Sequence, residues 1–314
     1  MSRRKKNGMP TGILIVLVVL AAVLCLVLVT VMYMDNHGLL GNSGNETPAA
    51  DVTDMNENTD GDTEADVKNG ADASGDYETD MVSAMDTEGL EFPDFDSSLY
   101  MDDEKFRTIA PDHEDVSIKK LQDEENPEIY AWLFVPHTGI DYPVLQHADH
   151  NDYTFYASHN EKGEQDDKGA LNTEYFNLKE FRDYLTVIYG RNIGDGTMFS
   201  NLEFYRDPAF FKENPYIYVY TEDEMLIYKT FAAYESDDVH LILFYVTSVD
   251  FMYEEYIKNL EEIPGIDANT DKAAWPGKDD RILTLSTFLR NDPSGRRYLV
   301  QAKLIGIKKL NEQK

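Results

Sequence analysis

Sulfur is the scarcest reactive side chain in this sequence. The 314 residues hold one cysteine, Cys25, and it lies inside an uncharged apolar run. Everything after that run therefore has no thiolate nucleophile, no disulfide and no cysteine-based metal site. Seven histidines are present. Three of them, His147, His150 and His159, fall within "HADHNDYTFYASH", but their spacing matches no standard metal-ligand pattern. They read as surface or structural residues, and neither metal nor cofactor is expected. The stretch "GDG" at 194–196 reads as a turn before a helix, because no Lys-Ser/Thr follows to complete a phosphate cradle. Hydroxyls remain, in "RILTLSTFLRNDPSGRRYLVQAKL" at 281–304. Side chains alternate along a strand, so Ile282, Thr284, Ser286 and Phe288 share one face, and Leu283, Leu285 and Thr287 the other. Ser286 would need a neighbouring base to attack anything.

The segments that position these residues are short, β-branched or aromatic, and bounded by Gly, Pro, Asn and Asp: "GIDYPVLQ", "YLTVIYG", "PYIYVYT", "MLIYKTFAAYES", "RILTLST" and "RYLVQAKLIGI". That is the signature of strands. A helical pattern opens "EDVSIKKLQDEENPEIYAWLFV", and apolar spacing of three and four predicts helices in "MFSNLEFYRDPAFFKEN" and "DFMYEEYIKNLEEI". Many strands with few helices predict a mainly β domain, a barrel or sandwich carrying peripheral helices.

Composition divides the chain into four parts. Residues 1–11 are a basic tail containing Arg3, Arg4, Lys5 and Lys6. Residues 12–34 are apolar, and roughly 22 residues of helix span the ~30 Å bilayer core. The basic flank predicts a retained signal anchor with its N-terminus cytoplasmic and the rest outside. Residues 35–100 carry eighteen Asp and Glu against the single Lys68, with no apolar periodicity, which predicts a disordered, extended tether. Residues 101–314 are long enough for one β domain. The net charge of −31 repels nucleic acid and excludes it as a direct partner.

Several runs in order, "NPEIYAWLFVPHTGIDYPVLQ", "HNDYTFYASHN", "GALNTEYFN", "VIYGRNIGDGTMFSNL", "FFKENPYIYVYT" and "LTLSTFLRNDPSGRRYLVQAKL", resemble class B sortases. These are the membrane-anchored cysteine transpeptidases of Gram-positive bacteria. The resemblance covers nearly all of 118–307 and implies a sortase-like closed β-barrel with peripheral helices. The family pattern runs Ile-Tyr-Gly-His-Asn, then Thr-Leu-Ser-Thr-Cys, then an Arg opening the last strand. Here Arg191 stands in place of the His and Phe288 in place of the Cys. The Arg is retained as Arg297, with Arg296 a near alternative in register. "GALNTEYFN" departs from the family at Asn172 and Phe176.

In that chemistry a thiolate attacks a peptide carbonyl, a histidine protonates the leaving amine, and the arginine stabilises the oxyanion. Phe288 has no nucleophilic atom, and Arg191 keeps its proton at any relevant pH. The resemblance thus implies no intact catalytic set, and a groove whose binding candidates are Arg191, Asn192, Thr284, Ser286, Phe288, Arg296 and Arg297. The implied role is capture of a sorting-signal peptide, a surface or pilus protein, or another sortase, on the outer face of the plasma membrane toward the cell wall. Two alternatives stand beside it. One is a residual or altered transpeptidase or hydrolase acting through Ser286. The other is a purely structural domain whose groove Phe288 plugs, with Arg191 and Arg297 held by carboxylates.

Overall fold

The described residues form nine strands: β1 (Ile129–Val135), β2 (Ile140–Leu145), β3 (Leu171–Asn172), β4 (Leu185–Tyr189), β5 (Tyr216–Tyr220), β6 (Glu224–Ser236), β7 (Asn269–Thr270), β8 (Ile282–Phe288) and β9 (Arg297–Lys309). The computed structural model describes residues 94–310, apart from 115, 246, 248–249 and 262–267. The basic tail, the expected membrane anchor with Cys25, and the tether as far as residue 93 lie outside the described residues. No described helix is long and apolar enough to cross a membrane.

The strands run in the order β5-β1-β2-β3-β4-β8-β9-β6, and β5 also pairs with β6, so the sheet closes into an eight-stranded barrel with β7 appended to β6. Closure decides between the barrel and the sandwich, and it leaves β5 with both edges satisfied. β2 pairs with β3, and β4 with β8, in parallel; the other pairs are antiparallel.

Two apolar layers use the two faces of the strands. Ile188, Leu283, Leu285, Val300 and Ala302 belong to one core cluster. Val187, Phe231, Ile282 and Leu299 belong to a second, together with residues of the helices α4 (Leu241–Tyr245) and α5 (Asp250–Leu260). β8 is therefore buried on both faces until its last residue.

Local chemistry explains the remaining elements. Helix α1 (Asp103–Arg107) starts where the Asp102 side chain accepts from the Lys105 N–H. Helix α2 (Ile118–Glu124) starts where Ser117 does the same for Lys120. The helical stretch expected over 198–214 divides into a 3₁₀ segment, Ser200–Arg206, and α3 (Pro208–Glu213). The break falls at Asp207, held extended at ψ 117°, because the proline ring excludes the helical region for the residue before it. Helix α4 was not legible in sequence, since "LILFY" has no polar position to reveal a helical period.

The domain also begins earlier than residue 101. Phe95 and Leu99 pack against the core, and Tyr100 bridges to Ile307 of β9. The end of the acidic segment thus joins the fold through its apolar residues, which its overall composition concealed.

Candidate functional site

The parallel strands β4 and β8 end side by side, with Tyr189 opposite Ser286. After Tyr189 the chain leaves the barrel at Gly190. A Cβ there would lie 2.4 Å from Leu171 Cδ2 and 2.7 Å from Phe199 Cδ2. Glycine is the residue that lets the backbone pass between those side chains, and it delivers Arg191 to the rim. Phe288 ends β8 and pairs directly with Arg297, which opens β9. The connection from β6 to α4 crosses the same end and brings Asp238 and His240. Together these residues enclose a cleft of about 400 Å³, walled also by Tyr153, Ala157, Glu174 and Tyr189. A larger hollow of about 1040 Å³ lies elsewhere, around Tyr100, Asp223 and Lys309. It contains none of the candidate site residues.

Three of the seven candidates thus meet in one place: Arg191, Phe288 and Arg297. The other four do not line the cleft. Asn192 donates to Glu203 Oε1 at 2.9 Å. Thr284 is fully buried and accepts from Gln301 Nε2 at 3.0 Å, and Gln301 also contacts the Tyr256 hydroxyl of α5. The face shared by Thr284 and Phe288 is therefore roofed by α5 at one end and open at the other. Ser286 is 2% exposed, with its Oγ 3.3 Å from Arg297 Nη1. Arg296 points away, to Glu235 at 2.7 Å and Asp292 at 2.8 Å.

Phe288 is not a plug. The residue is 47% exposed and its ring serves as a platform, with the Arg297 guanidinium carbon 3.9 Å from the ring centroid. Such a contact at a partly exposed site contributes about 0.5–1 kcal/mol. Arg297 also donates through Nε to Asp238 Oδ1 at 2.5 Å. The retained arginine is therefore fixed in plane by an aromatic ring and a carboxylate. Arg191 differs: its Nη1 donates to the Ala157 carbonyl at 3.1 Å, and among the described residues no ion pair involves it. The carboxylate partner expected for it on the structural reading is absent there.

Sequence reasoning missed Asp238, His240 and Glu174. Glu174 sits in the quoted run "GALNTEYFN", which gave a signal for the segment but not for this residue; nothing in the local sequence marks Asp238 and His240, which reach the cleft through folding. His240 returns an imidazole to the site, but its nitrogens are committed. Nδ1 accepts from the Leu243 N–H at 3.3 Å at the start of α4, which puts the ring proton on Nε2. That nitrogen lies 2.8 Å from Glu174 Oε2, a side chain only 8% exposed. A ring held this way positions the β6–α4 connection and has no lone pair turned to a substrate. Burial, reinforced by the Glu174 charge, pushes the Tyr189 phenol well above its ordinary value. It is therefore a neutral hydroxyl, not a phenolate nucleophile. Among the described residues no group of three His, Cys, Asp or Glu is placed to hold a metal ion.

No family model matches the chain. Individual proteins do. The chain is 35% identical over 193 residues to sortase B of Listeria monocytogenes, a match covering 57% of this chain and 71% of that protein. The crystal structure of Clostridium perfringens sortase B superposes with a TM-score of 0.53 at 29% identity, over 62% of this chain and all of the other, 100%. A Staphylococcus aureus sortase B–substrate complex shares the fold at a TM-score of 0.51 and 24% identity, over 66% of this chain and 93% of that one.

Proposed function

The chain belongs to the sortase B family, and on that premise we propose that it is a member without transpeptidase activity, whose cleft holds a peptide instead of cutting it. The observation that carries this reading is Phe288, standing where the attacking sulfur is expected and flanking an open cleft beside Arg297.

Each step of the family reaction needs an atom that this cleft lacks. Acyl transfer requires a nucleophile, and a phenyl ring is not one. Protonation of the leaving amine requires a group that exchanges a proton near working pH, and the Arg191 guanidinium does not. Ser286 stands behind Arg297, with no base hydrogen-bonded to it among the described residues, and the His240 nitrogens are both engaged. The recognition frame survives better: the cleft is open, the strand-end arginine is retained, and its guanidinium is held in a fixed orientation. An open cleft also disfavours a purely structural domain, for which a filled groove would serve as well.

The ligands this reading favours are a sorting-signal peptide, a surface or pilus subunit, or an active sortase. That a Staphylococcus aureus sortase B of the same fold was solved as a substrate complex supports a cleft that holds a substrate. The apolar run at 12–34 and the acidic residues after it support a protein anchored in the plasma membrane, with this domain facing the cell wall.

The test uses full-length protein in detergent micelles, titrated with fluorescent sorting-signal peptides and candidate subunits. Saturable binding weakened by Arg297→Ala, with no product at high protein concentration, is the expected result. Turnover, or an acyl adduct mapped to any side chain by mass spectrometry, overturns the inactive reading. Failure of every peptide and subunit to bind overturns the binding one.

A further inference from the structure

Resting on the reading of the cleft as a binding site, we propose that it selects peptides bearing a free carboxylate, and that Asp238 is an internal occupant which such a ligand displaces.

The two guanidinium groups of the cleft are in different states. Arg191 uses one N–H on the Ala157 carbonyl, and no carboxylate of the described residues pairs with it. Its side chain lines the cleft. Arg297 already holds a carboxylate: Asp238 Oδ1 lies 2.5 Å from its Nε. That contact shows which chemistry the arginine accepts. The Asp238 side chain is 48% exposed and belongs to the connection between β6 and α4, not to a strand, so it can leave without disturbing the barrel. Arg297 keeps two other contacts when Asp238 leaves, the Phe288 ring beside its guanidinium and Ser286 Oγ at Nη1.

Charge and geometry favour a carboxylate over the neutral carbonyl of an unbroken peptide. A carboxylate brings opposite charge and two oxygens that a guanidinium fork can bind through parallel N–H···O bonds, which a single carbonyl oxygen does not offer. The surrounding chain carries a net charge of −31 and repels anions in general. A preference for carboxylate ligands must therefore be local to these arginines. Two sources present the same two oxygens: a peptide C-terminus and an Asp or Glu side chain.

Full-length protein in micelles would be incubated with N-terminally labelled random hexapeptide pools in three forms. One pool carries a free C-terminal acid and no acidic side chains, the second is its C-terminal amide, and the third is an amide containing one glutamate. The first or third pool is expected to be retained about ten-fold better than the second, and which of the two wins identifies the source of the carboxylate. Arg191→Ala should abolish the difference. Asp238→Asn should strengthen retention of the winning pool, since the competing anion is gone. Equal retention of all three pools overturns the carboxylate preference and leaves the binding site standing. Weaker retention by Asp238→Asn overturns the displacement. Retention of none overturns both this proposal and the binding role beneath it.

Discussion

Truncating Phe288 to alanine separates a platform from a plug. A fully buried phenylalanine costs about 3–5 kcal/mol when cut to alanine, through lost transfer energy and the cavity left behind. Phe288 leaves 47% of its surface in solvent, so its truncation opens no closed cavity. Full burial of such a side chain contributes about 1.5–3 kcal/mol, and half of that is about 1 kcal/mol. The stacked Arg297 adds about 0.5–1 kcal/mol. The expected loss is therefore about 1–2 kcal/mol. Urea unfolding followed by the fluorescence of Trp132 and Trp275 measures it. Phe231, fully buried at 0% exposure, is the control, and Phe231→Ala should cost about 3–5 kcal/mol. If the two variants lose equal stability, the ring at 288 is core and the open cleft is wrong.

Two further outcomes concern the strand alternation and a buried carboxyl away from the cleft. Phe288→Cys should be labelled by a thiol reagent in the native protein, above the background of Cys25, whereas Thr287→Cys, at a position 0% exposed, should react only after unfolding; equal labelling of both would contradict the strand alternation. Burial raises the Asp183 carboxyl to about 7, so between roughly pH 4, its unfolded value, and pH 7 the folded state holds a proton that the unfolded chain has released. Stability from this group is full below pH 4 and is lost as pH rises toward 7, by up to about 4 kcal/mol. Asp183→Asn should remove that part of the slope in urea unfolding at pH 5 and pH 8, and an unchanged slope would refute it.

Much of the strand content was legible because its signals are local. "RILTLST" and "PYIYVYT" announce strands through β-branched and aromatic residues between turn formers, and β8 and β5 occupy those places. The alternation that set Phe288 and Ser286 on one face and Thr287 on the other holds as well. Helix α4 escaped because an unbroken apolar run has no period to read. The site candidates divided for a related reason. Register put Thr284 and Ser286 on the same face as Phe288, but register says nothing about what covers a face, and α5 and Arg297 cover these two.

The amino-acid order alone determines the atoms that are available: no thiol beyond the first apolar run, a phenyl ring and a guanidinium at 288 and 191, and an excess of negative charge after that run. Those are covalent facts, and no folding alters them. The tertiary structure alone decided that the sheet closes through β5, that Phe288 lies half in solvent, and that Asp238 and His240 arrive at the same cleft. Each depends on contacts between residues tens of positions apart, such as Arg297 and Asp238, whose meeting no local pattern encodes.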